Sequence, residues 1–182
     1  MQRVLLGLTL GLLLTLGGGR VAFAADADAI LGTWLNQDKD AQIEIAPCGD
    51  QLCGTIVWIE TPLDDQGKPE VDDENPDPKL RTRPIVGLEI LSGFPSRPDN
   101  KGVWDDGTIY DPNNGKTYSC KMSFRKADKL QIRGYIGISL LGRTEVWTRV
   151  DPADAKAARD AMKAVLDGAG LDKAGLNGAD GR

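Results

Sequence analysis

The amino-acid sequence predicts an all-β protein, an antiparallel meander closed as a roughly eight-stranded barrel with a short C-terminal α-helix. Three observations lead there. Short segments alternate apolar and polar residues with a period of two, the pattern of a half-buried antiparallel strand. The links between them are brief and rich in turn-forming residues, which favours successive hairpins. A meander removes its exposed edges most completely by closing on itself. Eight strands then enclose an interior that side chains fill or that holds one small ligand.

The chain opens with Arg3, an apolar run from Val4 to Leu16, and the small residues Ala22 and Ala24 around Phe23. This is the layout of a secretory signal peptide cleaved after Ala24, and it predicts a periplasmic or secreted protein. A retained membrane helix needs nearer twenty unbroken apolar residues, whereas this run breaks at Gly17-Gly18-Gly19-Arg20. No later segment is long and apolar enough to span a bilayer. The remaining 25–182 is about one domain's length.

The strands follow in order. Gly32-Thr33-Trp34-Leu35 begins the first. Ala41 to Ala46 places Ile43 and Ile45 on one face and Gln42 and Glu44 on the other; Leu52 to Glu60 is apolar on both faces. Lys116 to Arg125 is the clearest strand, with Tyr118, Cys120, Met122 and Phe124 sharing one side. Leu130, Ile132 and Ile136 repeat the pattern, and Thr144 to Val150 supplies the last strand. The barrel domain is thus expected over 25–150. Asp151 as N-cap and Pro152 in the first helical position predict a helix over 151–167, with a disordered tail over 168–182. Thr61 to Pro84 is rich in proline and shows neither period, which predicts a long functional or disordered loop.

Composition removes several chemistries. The chain contains no His and has a formal net charge of −5. Without His there is no Ser-His-Asp or Cys-His machinery and no HExxH zinc site. The acidic balance without a basic cluster argues against nucleic acid and against anionic membrane surfaces.

The pair Cys48 and Cys53 flanks Gly49-Asp50-Gln51-Leu52. Structural zinc needs four ligands, and three Cys without His do not supply them. Redox dithiols have two intervening residues at a helix start, whereas this pair sits between strands. A disulfide across a four-residue turn is expected, worth about 2 kcal/mol by the chain-entropy argument; free thiols are the alternative. Cys120 lies among apolar neighbours and is expected as a buried free thiol. The run Asp72-Asp73-Glu74-Asn75-Pro76-Asp77 lacks the spacing of a calcium loop and reads as a solvated acidic segment, so no metal is expected. Asp105-Asp106-Gly107 reads as a turn.

Several ordered motifs together resemble the exported-protein family called domain of unknown function 2147. They are GTW at 32–34, CGDQLCGTIVW at 48–58, NPDPKLRTRPIVG at 75–87, IYDPNNGKTY at 109–118, RGYIG at 133–137 and WTR at 147–149. Tyr135 and Cys120 depart from the family's pattern. The resemblance implies fold and compartment rather than chemistry. The sequence also resembles the calycin barrels, lipocalins and fatty-acid-binding proteins, in Gly-x-Trp of the first strand and a basic residue in the last. That resemblance implies barrel closure by Gly32, Trp34 and Arg149, with the guanidinium stacked on the indole.

The function expected is non-enzymatic binding of a small apolar or amphipathic molecule, with no cofactor. Trp58, Tyr118, Met122, Phe124 and Ile132 would line the interior, and the 61–84 loop would form a lid. Arg81 and Arg83 would meet an anionic head group, or else the acidic half of their own loop. Two alternatives come from other classes: an envelope protein-binding or inhibitor module with a packed barrel, and a carboxylate-dependent hydrolase.

Overall fold

Alternate residues of Lys116–Lys126 face the interior in the computed structural model, which describes residues 27–170. Tyr118, Cys120, Met122 and Phe124 form the inner side, as a period of two requires. The same logic runs through eight strands: β1 (Gly32–Leu35), β2 (Ala41–Cys48), β3 (Gln51–Ile59), β4 (Glu89–Pro95), β5 (Val103–Asp111), β6 (Lys116–Lys126), β7 (Lys129–Tyr135) and β8 (Arg143–Arg149). Each pairs antiparallel with its neighbour, and β1 pairs with β8 through Trp34 opposite Arg149 and Leu35 opposite Thr148, so the barrel is closed. Among the described residues a single α-helix, α1 (Pro152–Gly168), follows. The expected signal segment 1–24 and the tail from 171 onward lie outside the described residues.

One end of the barrel is plugged. A 3-10 turn, Ala27–Ile30, passes beneath β1 and buries Ile30 completely. Trp34 is fully buried, and its Nε1 donates to the Ile30 carbonyl at 2.9 Å. The Arg149 guanidinium lies 4.1 Å from the Trp34 ring centroid and donates to the carbonyls of Leu31 (3.0 Å) and Ala29. Those carbonyls precede β1 and have no strand partner, and the guanidinium satisfies both. Gly32 adopts φ +114°, and a Cβ there would sit 3.3 Å from Arg149 Nη1, so backbone and guanidinium both favour glycine. Phe124 extends the plug, 6.0 Å from Trp34 and 5.8 Å from Trp104, centroid to centroid.

The disulfide joins Cys48 and Cys53 with a Cα–Cα distance of 5.8 Å at this same end. The turn differs from expectation. It has two residues, Gly49 and Asp50, with Cys48 opposite Gln51 and Cys53 opposite Ala46. Gly49 accepts φ +69°, which permits the tighter turn, and the clip is therefore diagonal rather than directly cross-strand.

Helix α1 begins at Asp151, whose side chain accepts from Ala153 N–H at 2.8 Å, and buries Ala155, Met162 and Leu166. It packs outside the barrel near β1 and β3, and Arg159 pairs with Glu44 of β2 at 2.5 Å. Among the described residues no helix is long and apolar enough to cross a membrane.

The 61–84 loop is tied to the opposite, open end. Isolated bridges join Leu63 to Pro69 and Val71 to Pro84, and a 3-10 turn over Pro78–Leu80 is capped by Asp77. Asp72 and Asn75 are buried, which corrects the expectation of a solvated acidic segment. The loop also rests on the β5–β6 turn. Gly115 (φ +65°) lies so close to the Glu74 carbonyl that a methyl group there would overlap it.

Candidate ligand cavity

Above the plug, the inward residues of the strands stop filling the barrel. A cavity of about 1110 Å³ opens toward the end where the 61–84 loop lies. Its walls come from the inward positions of successive strands: Ile43, Ile56, Ile90, Ile109, Ile132 and Trp147. β-branched side chains on a closed sheet are stiff at χ1 and give a preformed apolar surface. Tyr118 of β6 adds a ring with a hydroxyl, which receives a bond from Asn114 Nδ2 at 3.2 Å.

The expected lining residues separate into three groups. Tyr118 and Ile132 reach the cavity. Met122 and Phe124 do not; they lie in the packed layer next to the aromatic plug, because inward residues nearer the closed end are covered by Trp34 and Trp104. Trp58 also lies outside the lining. A bulge in the β2–β3 pairing places Ile56 and Ile59 inward and sets Trp58 opposite Gln42 on the other face. Ile136, expected to continue the inner face of β7, has left the strand and is 69% exposed at the cavity mouth.

Arg81 and Arg83 are taken up within their own loop. Arg83 donates to the fully buried Asp72 carboxylate through Nε (2.8 Å) and Nη2 (2.7 Å), and Arg81 Nε donates to the Asn75 carbonyl at 2.7 Å. Neither lines the cavity. Asp72 also accepts from Asn75 Nδ2 (2.8 Å) and from the Tyr110 hydroxyl of β5 (2.6 Å). The carboxylate thus receives four bonds and ties the loop to the barrel wall. Burial, then the bond to Asp72, pushes the Tyr110 phenol above its ordinary 10.0. The Arg83–Asp72 pair is the expected alternative in which the loop arginines meet the acidic half of their own loop; the sequence did not single out Asp72 within its run of acids or announce its bond to Tyr110.

The mouth is acidic. Among the described residues eight carboxylates line the cavity, including Asp40, Glu60, Glu70, Asp73 and Glu74, against one cation, Arg143. Arg143 itself lies 3.3 Å from Glu145 and 3.8 Å from Asp38. A hydrolase would need two converging carboxylates, such as Asp111 with Asp105; Asp111 reaches the cavity but accepts from its own turn at Asn113 and Asn114. Asp105 pairs with Lys121 at 3.6 Å and does not line the cavity, so the pair does not converge. Among the described residues no group of three or more Cys, Asp and Glu side chains is arranged to hold a metal ion. Cys120 is buried and free, and burial pushes its thiol up to about 12.

A family model described as an uncharacterized protein conserved in bacteria, domain of unknown function 2147, matches residues 32–149. The chain belongs to that family. The matched span runs from Gly32 to Arg149, the two residues that meet at the plug. A solved structure of a Helicobacter pylori protein, described as belonging to the lipocalin family, superposes with a TM-score of 0.58 and 21% identity. The alignment covers 76% of this chain and 96% of that one, and it shows that this member of the family has a lipocalin-like fold. No curated protein matches the chain. The disulfide is consistent with an extracytoplasmic protein.

Proposed function

We propose that this protein is an exported, non-enzymatic carrier that holds a small apolar or amphipathic molecule in its barrel. The observation that carries this reading is the cavity of about 1110 Å³ with rigid aliphatic walls and a polar mouth. Natural small-molecule sites are concave, mostly apolar and largely preformed, with a few polar groups that orient the ligand. Tyr118 and Ile132 would touch the ligand. Met122 and Phe124 would hold the floor, and the clamped loop would cover the entrance. The lipocalin-like fold supports the reading by analogy only.

Displacement of the neutral fluorophore N-phenyl-1-naphthylamine by apolar compounds tests it. The wild type is expected to bind the dye, and Ile132→Trp, which fills the cavity from its wall, is expected to lose at least tenfold in affinity. Equal binding by a correctly folded Ile132→Trp variant would refute a barrel site.

A second reading, an envelope protein-binding module, rests on the β7–β8 connection. There Ile138, Leu140 and Leu141 are 61%, 82% and 78% exposed, an unusual cluster for large apolar side chains. The double variant Ile138→Ser, Leu140→Ser, at exposed positions outside the cavity lining, separates the two: a carrier keeps its ligand affinity, whereas a binding module loses its partner with the barrel unchanged.

A further inference from the structure

We infer that the ligand is a cationic amphiphile, its apolar body in the barrel and its ammonium head at the mouth. The inference rests on the carrier reading and adds the chemical class of the ligand. Charge is segregated on this molecule. The cavity lining holds eight carboxylates and one guanidinium, while elsewhere among the described residues acidic and basic side chains are nearly equal in number. The mouth is therefore a local negative field and not a sample of a generally acidic surface.

The field is also largely uncompensated. Glu60, Glu70, Asp73 and Glu74 form no salt bridge with any described residue. Arg143, the one cation among the described lining residues, already faces Asp38 and Glu145. Of the loop cations, Arg83 is held by Asp72 and Arg81 by a backbone carbonyl, and neither these nor Lys68 and Lys79 line the cavity. A carboxylate or phosphate entering this mouth meets repulsion, and among the described residues no free guanidinium lines it to offset that. A cation entering it meets carboxylates within a cleft whose apolar walls focus the field.

Aromatic placement adds an independent observation. Tyr110, Tyr118, Tyr135 and Trp147 all contribute to the lining, and ring faces attract cations through their quadrupoles. Two of these rings already carry a protein cation, Arg83 at 5.5 Å from Tyr110 and Lys121 at 5.6 Å from Tyr135. Rings and dispersed carboxylates around an aliphatic chamber suit a bulky monovalent ammonium on an apolar chain. They suit a divalent ion poorly, since that needs several oxygens converging on one point.

Three probes sharing a twelve-carbon chain provide the test, titrated by calorimetry: dodecyltrimethylammonium and dodecanoate, each below its micellar concentration, and dodecanol below its aqueous solubility. Dodecyltrimethylammonium is expected to bind roughly tenfold more tightly than dodecanol, and dodecanoate more weakly than either. The preference should collapse between low salt and about 0.5 M, where screening shortens to a few ångströms. The variant Glu60→Gln, Glu70→Gln, Asp73→Asn, Glu74→Gln should lose the ammonium preference and keep dodecanol affinity, which also reports an intact barrel. Equal binding of the three, a preference for dodecanoate, or an ammonium preference retained by the variant overturns the cationic assignment and leaves the carrier reading standing. Binding of none overturns both.

Discussion

Replacing Asp72 by Asn probes the link between fold and site, because one buried carboxylate holds the 61–84 loop over the cavity. In the wild type it receives bonds from Arg83 Nε and Nη2, Asn75 Nδ2 and the Tyr110 hydroxyl, all at 2.6–2.8 Å. Asn keeps the shape and loses the charge, and its amide hydrogens then face donors. Breaking a fully buried ion pair by removing one partner costs about 3–5 kcal/mol. Arg83 is 36% exposed and can regain water, so a smaller cost, about 2 kcal/mol, is expected here. That cost should fall on loop opening and not on global unfolding, because the barrel ladders do not pass through Asp72. Amide hydrogen exchange reads it directly. The Asp72 N–H bonds Arg83 O, and the Ile85 N–H bonds Glu70 O, at 3.0 and 2.9 Å. Both should exchange about 30-fold faster in Asp72→Asn, while Ile132 and Met122 in the β6–β7 ladder keep their protection. Unchanged loop exchange would refute the clamp. An equal acceleration throughout the barrel would show that the loop and barrel open as one unit.

Three further outcomes are expected. Arg149→Ala removes a stacked cation and two carbonyl-directed bonds, so it should cost about 3 kcal/mol and lower Tm by about 10 °C; Arg149→Lys should recover less than half of that, and a Tm unchanged by Arg149→Ala would contradict the plug. Thiol titration should find one reactive group per chain in denaturant without reductant, and the double variant Cys48→Ser, Cys53→Ser should lose about 2 kcal/mol; three reactive thiols would contradict the clip. The Cys120 thiol is raised in the folded state from 9.0 to about 12, so the unfolded chain loses that proton first as pH rises. Its stabilising contribution is complete below pH 9 and declines above it, by about 2 kcal/mol at roughly pH 10.5. Denaturant titrations of Cys120→Ala should therefore show a shallower alkaline loss than the wild type, and parallel profiles would refute the assignment.

The architecture was legible because strand alternation and short turns are local signals. Tyr118 to Phe124 and the segment Ala41 to Ala46 declared their inner faces directly, and so did the helix start at Asp151-Pro152. Depth along the barrel was not legible. Periodicity tells which side of the sheet Met122 and Ile132 occupy, but not that the first lies in the packed floor and the second in the cavity wall. The Trp58 placement was hidden by a bulge, which reverses sidedness after one residue without a sequence mark. Ile136 was lost for a similar reason, since the strand ends at Tyr135 and the next residues turn outward at the mouth. The clamp required contacts between residues 38 positions apart, Asp72 and Tyr110, which no pattern within the loop could announce. The acidic rim was present in the sequence as scattered acids, and only closure of the sheet gathers them around one opening.

Whether the barrel holds a small molecule is read from native mass spectrometry of protein purified from its own bacterium without detergent. A fraction of the protein is expected to carry a bound mass of a few hundred daltons, released by gentle activation and absent from Ile132→Trp. Protein that emerges at its bare polypeptide mass, together with a high-resolution structure in which side chains fill the space above the plug, would contradict it.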